Sequence, residues 1–271
     1  MNEIEKIINC EEVVNSKKRI VLQERDKKLL KLCYEQGFLS YEFVKENLFN
    51  NASDQRLRER IKQLEQAEFI RRLPCPTLSA KRIIKLTPLG VQSAENFSSY
   101  HLNYNHRFDF GPAVHDAKLT DLRSYFETQL KTFKSWMPER YLRANNFKGH
   151  APDGVLIYDD EKNVERLLAI ELELRRKNIE RYSDIFQHHF ETKRYCWMLY
   201  VVETPDDGNF ILKQMRVFKN RHHEARGYQM GVALLSNLKK QGHFTIYRPD
   251  SNERFDFPSP QLKVEVKDVA V

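Results

Sequence analysis

The chain has 271 residues, 41% hydrophobic and 31% charged, enough apolar material for a packed core and a length that suits two domains of about 100–200 residues each. The formal net charge is +7, which is compatible with a nucleic-acid partner without requiring one. The four cysteines, Cys10, Cys33, Cys75 and Cys196, form no CxxC pair, which excludes the common zinc spacings and reads as reduced thiols; no apolar run approaches the roughly 20 residues of a bilayer span, so no membrane partner is expected.

The start, Met1-Asn-Glu-Ile-Glu-Lys6, does not read as a signal peptide, and a cytoplasmic protein is expected. Residues 1–23 form an N-terminal segment, with a short helix predicted over Glu3–Val14 and then the basic Lys17-Lys-Arg19. That basic run is either an arm on DNA or a solvated flank. From residue 24 the pattern sharpens. Apolar Leu29, Leu30, Leu32 and Cys33 predict a helix over Asp26–Glu35, with Gly37 as its C-cap. Ser40 sits at an N-cap position before a second helix through Phe43, Val44 and Leu48. Ser53 or Asp54 caps a third helix that reaches about Ala67. Phe69–Leu73 and Arg82–Leu86, separated by Pro74 and Pro76, read as a β-hairpin. Three helices and a hairpin over residues 24–96 make a winged helix-turn-helix.

Within it the third helix would be the reader. Leu57, Ile61 and Leu64 are spaced as its buried stripe. Gln55, Arg56, Arg58 and Lys62 lie off that stripe, and the hairpin adds Arg71, Arg72, Lys81 and Arg82. These are side chains that base edges and phosphates accept, so double-stranded DNA is the expected partner. A solvated charged face, or a winged helix that contacts protein as an adaptor, are the competing readings. DNA readers of this type commonly meet two half-sites as homodimers, and a homodimer is expected.

Thr87-Pro-Leu-Gly begins a further helix that ends near Asn96. Residues 97–111, with Tyr100, His101, Tyr104, His106, Phe108 and Phe110, read as a linker whose aromatics pack or stack on bases. Residues 112–250 form a second, α/β domain. Its first helix runs to about Leu130, with His115 on the side of Leu119, Leu122 and Phe126. Trp136–Glu139 and Tyr141–Arg143 read as one strand, and Ala151–Tyr158 and Leu168–Lys177 as the two central strands. A helix over Asn178–Arg194 follows, then the apolar run Cys196–Val202, a strand buried on both faces. Pro205–Gly208 reads as a turn, Asn209–His222 as a basic helix, and Met230–Leu235 and His243–Tyr247 as strands. Strands alternating with helices imply an α/β sheet. Residues 251–271 are a tail.

The chemistry concentrates on the two central strands. Asp153 stands at the start of one, and Glu171, Glu173 and Arg175 occupy alternate positions of the other, hence one face. Acidic groups on neighbouring strands suit a hard divalent metal held against a phosphate; the competing reading is a solvated charged strand. His188 and His189 are adjacent on a helix, so their side chains diverge by about 100° and do not share a metal unaided. Arg221-His-His-Glu-Ala-Arg226 is a basic cluster that would suit a phosphate backbone or solvent.

The order of elements, with Pro152-Asp153 on one strand and Glu171-Leu-Glu173 on the next, resembles the PD-(D/E)xK nuclease superfamily. Joined to a winged helix, with Val114-His-Asp116, Trp136-x-x-Glu139 and Pro152-Asp-Gly154, it resembles the replication-relaxation family of plasmid and mobile-element proteins. The resemblance spans most of residues 24–247. It implies magnesium ligands at Asp153 and Glu171 and a catalytic lysine where this chain has Glu173. Lys177 reaching back, Arg175 standing in, or Glu173 binding a second metal would compensate, with Glu139 a further ligand. The expectation is a DNA-binding protein of a mobile element, a transcriptional regulator or a replication or mobilisation accessory. Its nuclease-like domain would be inactive and need no cofactor; the alternative is a Mg²⁺-dependent endonuclease.

Overall fold

A computed structural model describes residues 20–79, 81–105, 107–145, 149–160, 162–237, 244–250 and 254–257. The predicted helix over Glu3–Val14, the basic Lys17-Lys-Arg19 and the tail beyond Phe257 lie outside the described residues. The chain is α/β and divides into two compact units, Met1–Asp121 and Leu122–Val271.

The first unit opens with α1 (Glu24–Gln36). Leu29, Leu30, Leu32, Cys33 and Tyr34 on it are buried, and Gly37 ends it in the left-handed region at φ 92°. β1 (Leu39–Ser40) leads into α2 (Tyr41–Phe43), where the Ser40 hydroxyl accepts from the Phe43 N–H. The helix continues as a π-helical turn, Val44–Leu48. α3 (Asp54–Gln66) starts at the Ser53 cap, whose hydroxyl accepts from the Arg56 N–H. Its stripe of Leu57, Ile61 and Leu64 is buried, as the spacing predicts. β2 (Ile70–Pro74) and β3 (Arg82–Leu86) pair antiparallel, and β1 adds to β3, giving a three-stranded sheet in the order β1-β3-β2. α4 (Pro88–Glu95) begins with Pro88 in its first turn and the Thr87 hydroxyl accepting from the Gly90 N–H.

Residues 97–111 pack against this unit rather than standing free. The Tyr34 hydroxyl accepts from the Leu102 N–H at 2.7 Å, and Tyr104 donates to the Gly37 carbonyl at 2.8 Å. Lys85 is buried with its ammonium donating to the carbonyls of Asn105 and Arg107, both at 2.8 Å. Tyr104 and Phe108 are thus engaged by the unit's own residues, Phe108 meeting Phe38 edge to face at 5.1 Å, while His101 and Phe110 are exposed. His106 lies outside the described residues.

α5 (Ala113–Gln129) crosses the division between the units. The second unit is a seven-stranded mixed sheet: β4 (Phe133–Pro138), β5 (Gly154–Asp159), β6 (Glu165–Glu173), β7 (Trp197–Val202), β8 (Gln229–Leu234), β9 (Phe244–Tyr247) and β10 (Arg254–Phe257) lie side by side in that order. β6, β7 and β8 are mutually parallel and the other pairs antiparallel. α6 (Glu139–Ala144) follows β4, α7 (Ile179–Thr192) links β6 to β7, and α8 (Pro205–Arg221) links β7 to β8. Tyr182, Ile185 and Phe186 of α7 and Ile211, Met215 and Phe218 of α8 pack on Met198, Tyr200 and Val202 of β7 and on Met230 and Val232 of β8. Among the described residues no helix is long and apolar enough to cross a membrane.

Four sequence expectations change here. Glu139–Ala144 is helical, because Pro138 sits at its N-cap and its first turn carries Glu139. Pro205–Gly208 is the first turn of α8, capped by Thr204 with Pro205 at its start. β6 stops at Glu173, so Arg175 is exposed beyond the strand. Residues 254–257, expected in the tail, add β10 to the sheet.

Candidate functional site

Two constellations carry chemistry, one in each unit. In the first, α3 and the hairpin bring cations together. Arg58 and Lys62 on α3, Arg72 on β2, and Lys81 and Arg82 at the hairpin line one groove with Tyr41. Arg58, Lys62, Lys81 and Arg82 are exposed. The turn between the hairpin strands places Lys81 at positive φ, 51°. Arg72 is half-buried and ion-paired to Glu65, which holds its guanidinium above its ordinary pKa. Of the other predicted contacts, Gln55, Arg56 and Arg71 are exposed but do not line the groove, and Gln55 donates to Glu59 at 3.0 Å. Arg60, unremarked in the sequence, is structural: it pairs with the fully buried Asp26 at 2.5 Å and donates to the Val21 carbonyl at 2.8 Å.

In the second unit, β6 turns Ala169, Glu171 and Glu173 to one face, in register with Met198, Tyr200 and Val202 of β7. That face is the one α7 and α8 cover, so the charged strand is not solvated: Glu171 is 1% and Glu173 5% exposed. Buried charge requires partners. The α7 stripe Tyr182, Ile185, Phe186 and His189 supplies one, since its helical spacing turns all four inward. His189 Nε2 lies 3.5 Å from Glu171 Oε1, and His150 Nε2, just before β5, lies 2.7 Å from the same oxygen. The rings of His150 and His189 meet edge to face at 5.8 Å. Burial pushes the Glu171 carboxyl up, but the hydrogen bond from His150 and the closeness of both imidazoles outweigh it and bring it down to about 2.

Glu173 has different company. Lys177 reaches back from beyond the strand and donates to its carboxylate. Burial nevertheless raises the Glu173 carboxyl above its usual range, against the downward pull of that ammonium. Tyr182, its phenol pushed up to about 12 by burial, accepts the Lys177 backbone N–H at 3.1 Å. Asp153 turns into the sheet: its Oδ2 accepts the Leu172 backbone N–H at 2.7 Å. Tyr200, beside Glu171, is fully buried, and its hydroxyl has no hydrogen-bond partner among the described residues.

The predicted residues Asp153, Glu171, Glu173 and Lys177 therefore share one neighbourhood, but not as a set of oxygens around one point. A hard cation such as Mg²⁺ takes carboxylate, carbonyl and water oxygens. Here Glu171 faces two imidazoles, Glu173 faces an ammonium, and Asp153 holds a backbone amide, so the donors as placed do not fit Mg²⁺. Glu139 stays outside, paired with Arg143 on α6. His115 pairs with Asp116 at 3.0 Å. The sequence does not single out His150, and His189 is weighed from it only as a metal partner of its neighbour His188. The inward spacing of His189 was readable; its meeting with His150 depends on the chain between β6 and β7, which no local pattern specifies. Comparisons with protein-family models, with curated proteins and with solved structures return no match for this chain.

Proposed function

We propose that the chain is a DNA-binding protein whose first unit is a winged helix, with α3 reading duplex DNA and the β2–β3 hairpin as its wing. The observation that carries this reading is the groove lined by Arg58, Lys62, Arg72, Lys81 and Arg82. Four of these cations are exposed, and they converge where a helix and a hairpin meet, the arrangement that suits a groove edge and its phosphates. The second unit is a nuclease-like fold of the PD-(D/E)xK kind without magnesium chemistry, supported by a buried glutamate at the lysine position and an Asp153 committed to a backbone amide. The resemblance to the replication-relaxation family then suggests a regulator or a replication or mobilisation accessory of a mobile element, acting as a homodimer.

Binding of labelled duplex DNA to the full chain at several salt concentrations tests the reading. Affinity is expected to fall linearly with salt on a log–log plot. Arg58→Ala/Lys62→Ala should weaken binding by about ten-fold or more and flatten the slope by about 1–2. A flat salt dependence with unchanged affinity in the double variant sinks DNA recognition and favours a protein-binding adaptor.

The second reading, a Mg²⁺-dependent endonuclease, draws on the return of Lys177 to the Glu173 carboxylate, which puts a cation beside the acidic face. Supercoiled plasmid incubated with Mg²⁺ or Mn²⁺ decides it: nicking that disappears in both Asp153→Ala and Glu171→Ala makes the enzyme reading correct.

A further inference from the structure

The geometry points to a transition-metal site built from His150, Glu171 and His189, one that takes a borderline divalent cation of the Zn²⁺ class through two imidazole nitrogens and one carboxylate oxygen. It stands independently of DNA binding and differs in donors from the oxygen-only pair, Asp153 and Glu171, that a nuclease resemblance implies. Three ligand atoms, one from each residue, lie within 4.8 Å of one another. Metal–ligand bonds of about 2.0–2.2 Å at tetrahedral angles place ligand atoms about 3.3 Å apart. The observed separations from Glu171 Oε1, 2.7 Å to His150 and 3.5 Å to His189, bracket that value.

A second observation points the same way. His189 is fully buried, and neither of its ring nitrogens makes a hydrogen bond among the described residues. A buried polar group left unmatched costs about 1–3 kcal/mol, so an imidazole kept there against Glu171 calls for a partner. A metal ion supplies one to His189 and balances the Glu171 charge in the same step. The three ligands come from three elements: the segment before β5, the end of β6 and α7. An ion would tie these together, and three protein ligands leave a fourth tetrahedral position for water or an anionic oxygen.

The site asks one adjustment. Arg181 lies 3.3 Å from His150 Nδ1. With Nε2 on a metal, Nδ1 carries the ring proton and no longer accepts, so the guanidinium must turn aside, which an exposed side chain on the first turn of α7 is free to do. The ring proton that faces Glu171 from His150 Nε2 moves to Nδ1 as the metal takes its place, a change of tautomer with no net release.

The test uses the full chain stripped by a chelator and titrated with Co²⁺, read by its d–d absorption, and with Zn²⁺ in competition. One equivalent in a tetrahedral environment is expected, displaced by Zn²⁺ and not by millimolar Mg²⁺. His150→Gln, at the more accessible edge of the site, should bind roughly 100-fold more weakly while its circular dichroism matches the parent; His189→Ala should do the same, and Asp153→Asn should bind as the parent does. Absence of the tetrahedral spectrum in the folded parent overturns the proposal. So does unchanged Co²⁺ affinity in His150→Gln, or displacement by Mg²⁺.

Discussion

At the scale of single residues, the deciding question is which charges are surface and which are structure. Arg60 shares the charged face of α3 with Arg56 and Lys62 in the sequence, yet it closes an ion pair on Asp26, which is fully buried. Asp26 also accepts the Gln23 N–H at 2.7 Å, at the start of α1. Removing one member of such a pair strands the other. Asp26→Ala is expected to lower stability by about 3–5 kcal/mol, whereas an apolar swap of both, Asp26→Leu/Arg60→Met, should recover much of that loss. Urea denaturation of the three proteins checks it; equal losses in single and double variants would refute the assignment. Sequence alone could not sort Arg60 from its neighbours, because the distinction is made by a partner 34 positions away on another helix. The same holds for His189 and Glu171. Ser40, Ser53 and Gly37, by contrast, are legible as caps, since a cap acts on the few residues next to it.

At the scale of elements, the glycine of Pro152-Asp-Gly154 shows how a motif and a packing need can share residues. Gly154 opens β5 opposite Pro138 of β4. A Cβ added there would lie 2.0 Å from the Trp136 ring. The residue is therefore fixed by the buried indole whatever Asp153 does. Gly154→Ala should cost about 1–3 kcal/mol or more through overpacking, and should red-shift or broaden tryptophan emission as Trp136 is displaced; an unchanged melt and spectrum would contradict the contact. The strands were the most legible part of this unit, since β7 and β8 are nearly unbroken apolar runs. The switch from β4 to α6 was not, because Pro138 ends one element and caps the next with no polar break between them.

At the scale of the whole molecule, both tryptophans of the chain, Trp136 and Trp197, belong to the second unit. Their fluorescence reports that unit alone, while far-ultraviolet circular dichroism reports both. Each unit has a buried core of its own, with Ile61 at 0% exposure in the first and Tyr200 and Phe186 in the second. Ile61→Ala, at about 2–5 kcal/mol, should move part of the circular-dichroism unfolding curve to lower denaturant while the tryptophan midpoint stays in place. A matching shift of both signals would show that the units unfold as one cooperative body.

The strands of the large sheet lie in the order in which they occur in the chain, β4 through β10, with no later strand inserted between two earlier ones. Chains are synthesised from the N-terminus, so each later strand of this sheet leaves the ribosome after the strand whose edge it joins. Until α7 emerges, Glu171 and Glu173 of β6 have no helix over them to take them out of water. α7 is the next segment made, and it carries His189, so the helix that first takes Glu171 out of water brings with it an imidazole to face that charge. The burial of this acidic strand is thereby timed by the order of the chain, and nascent protein need never hold the bare carboxylate in an apolar interior.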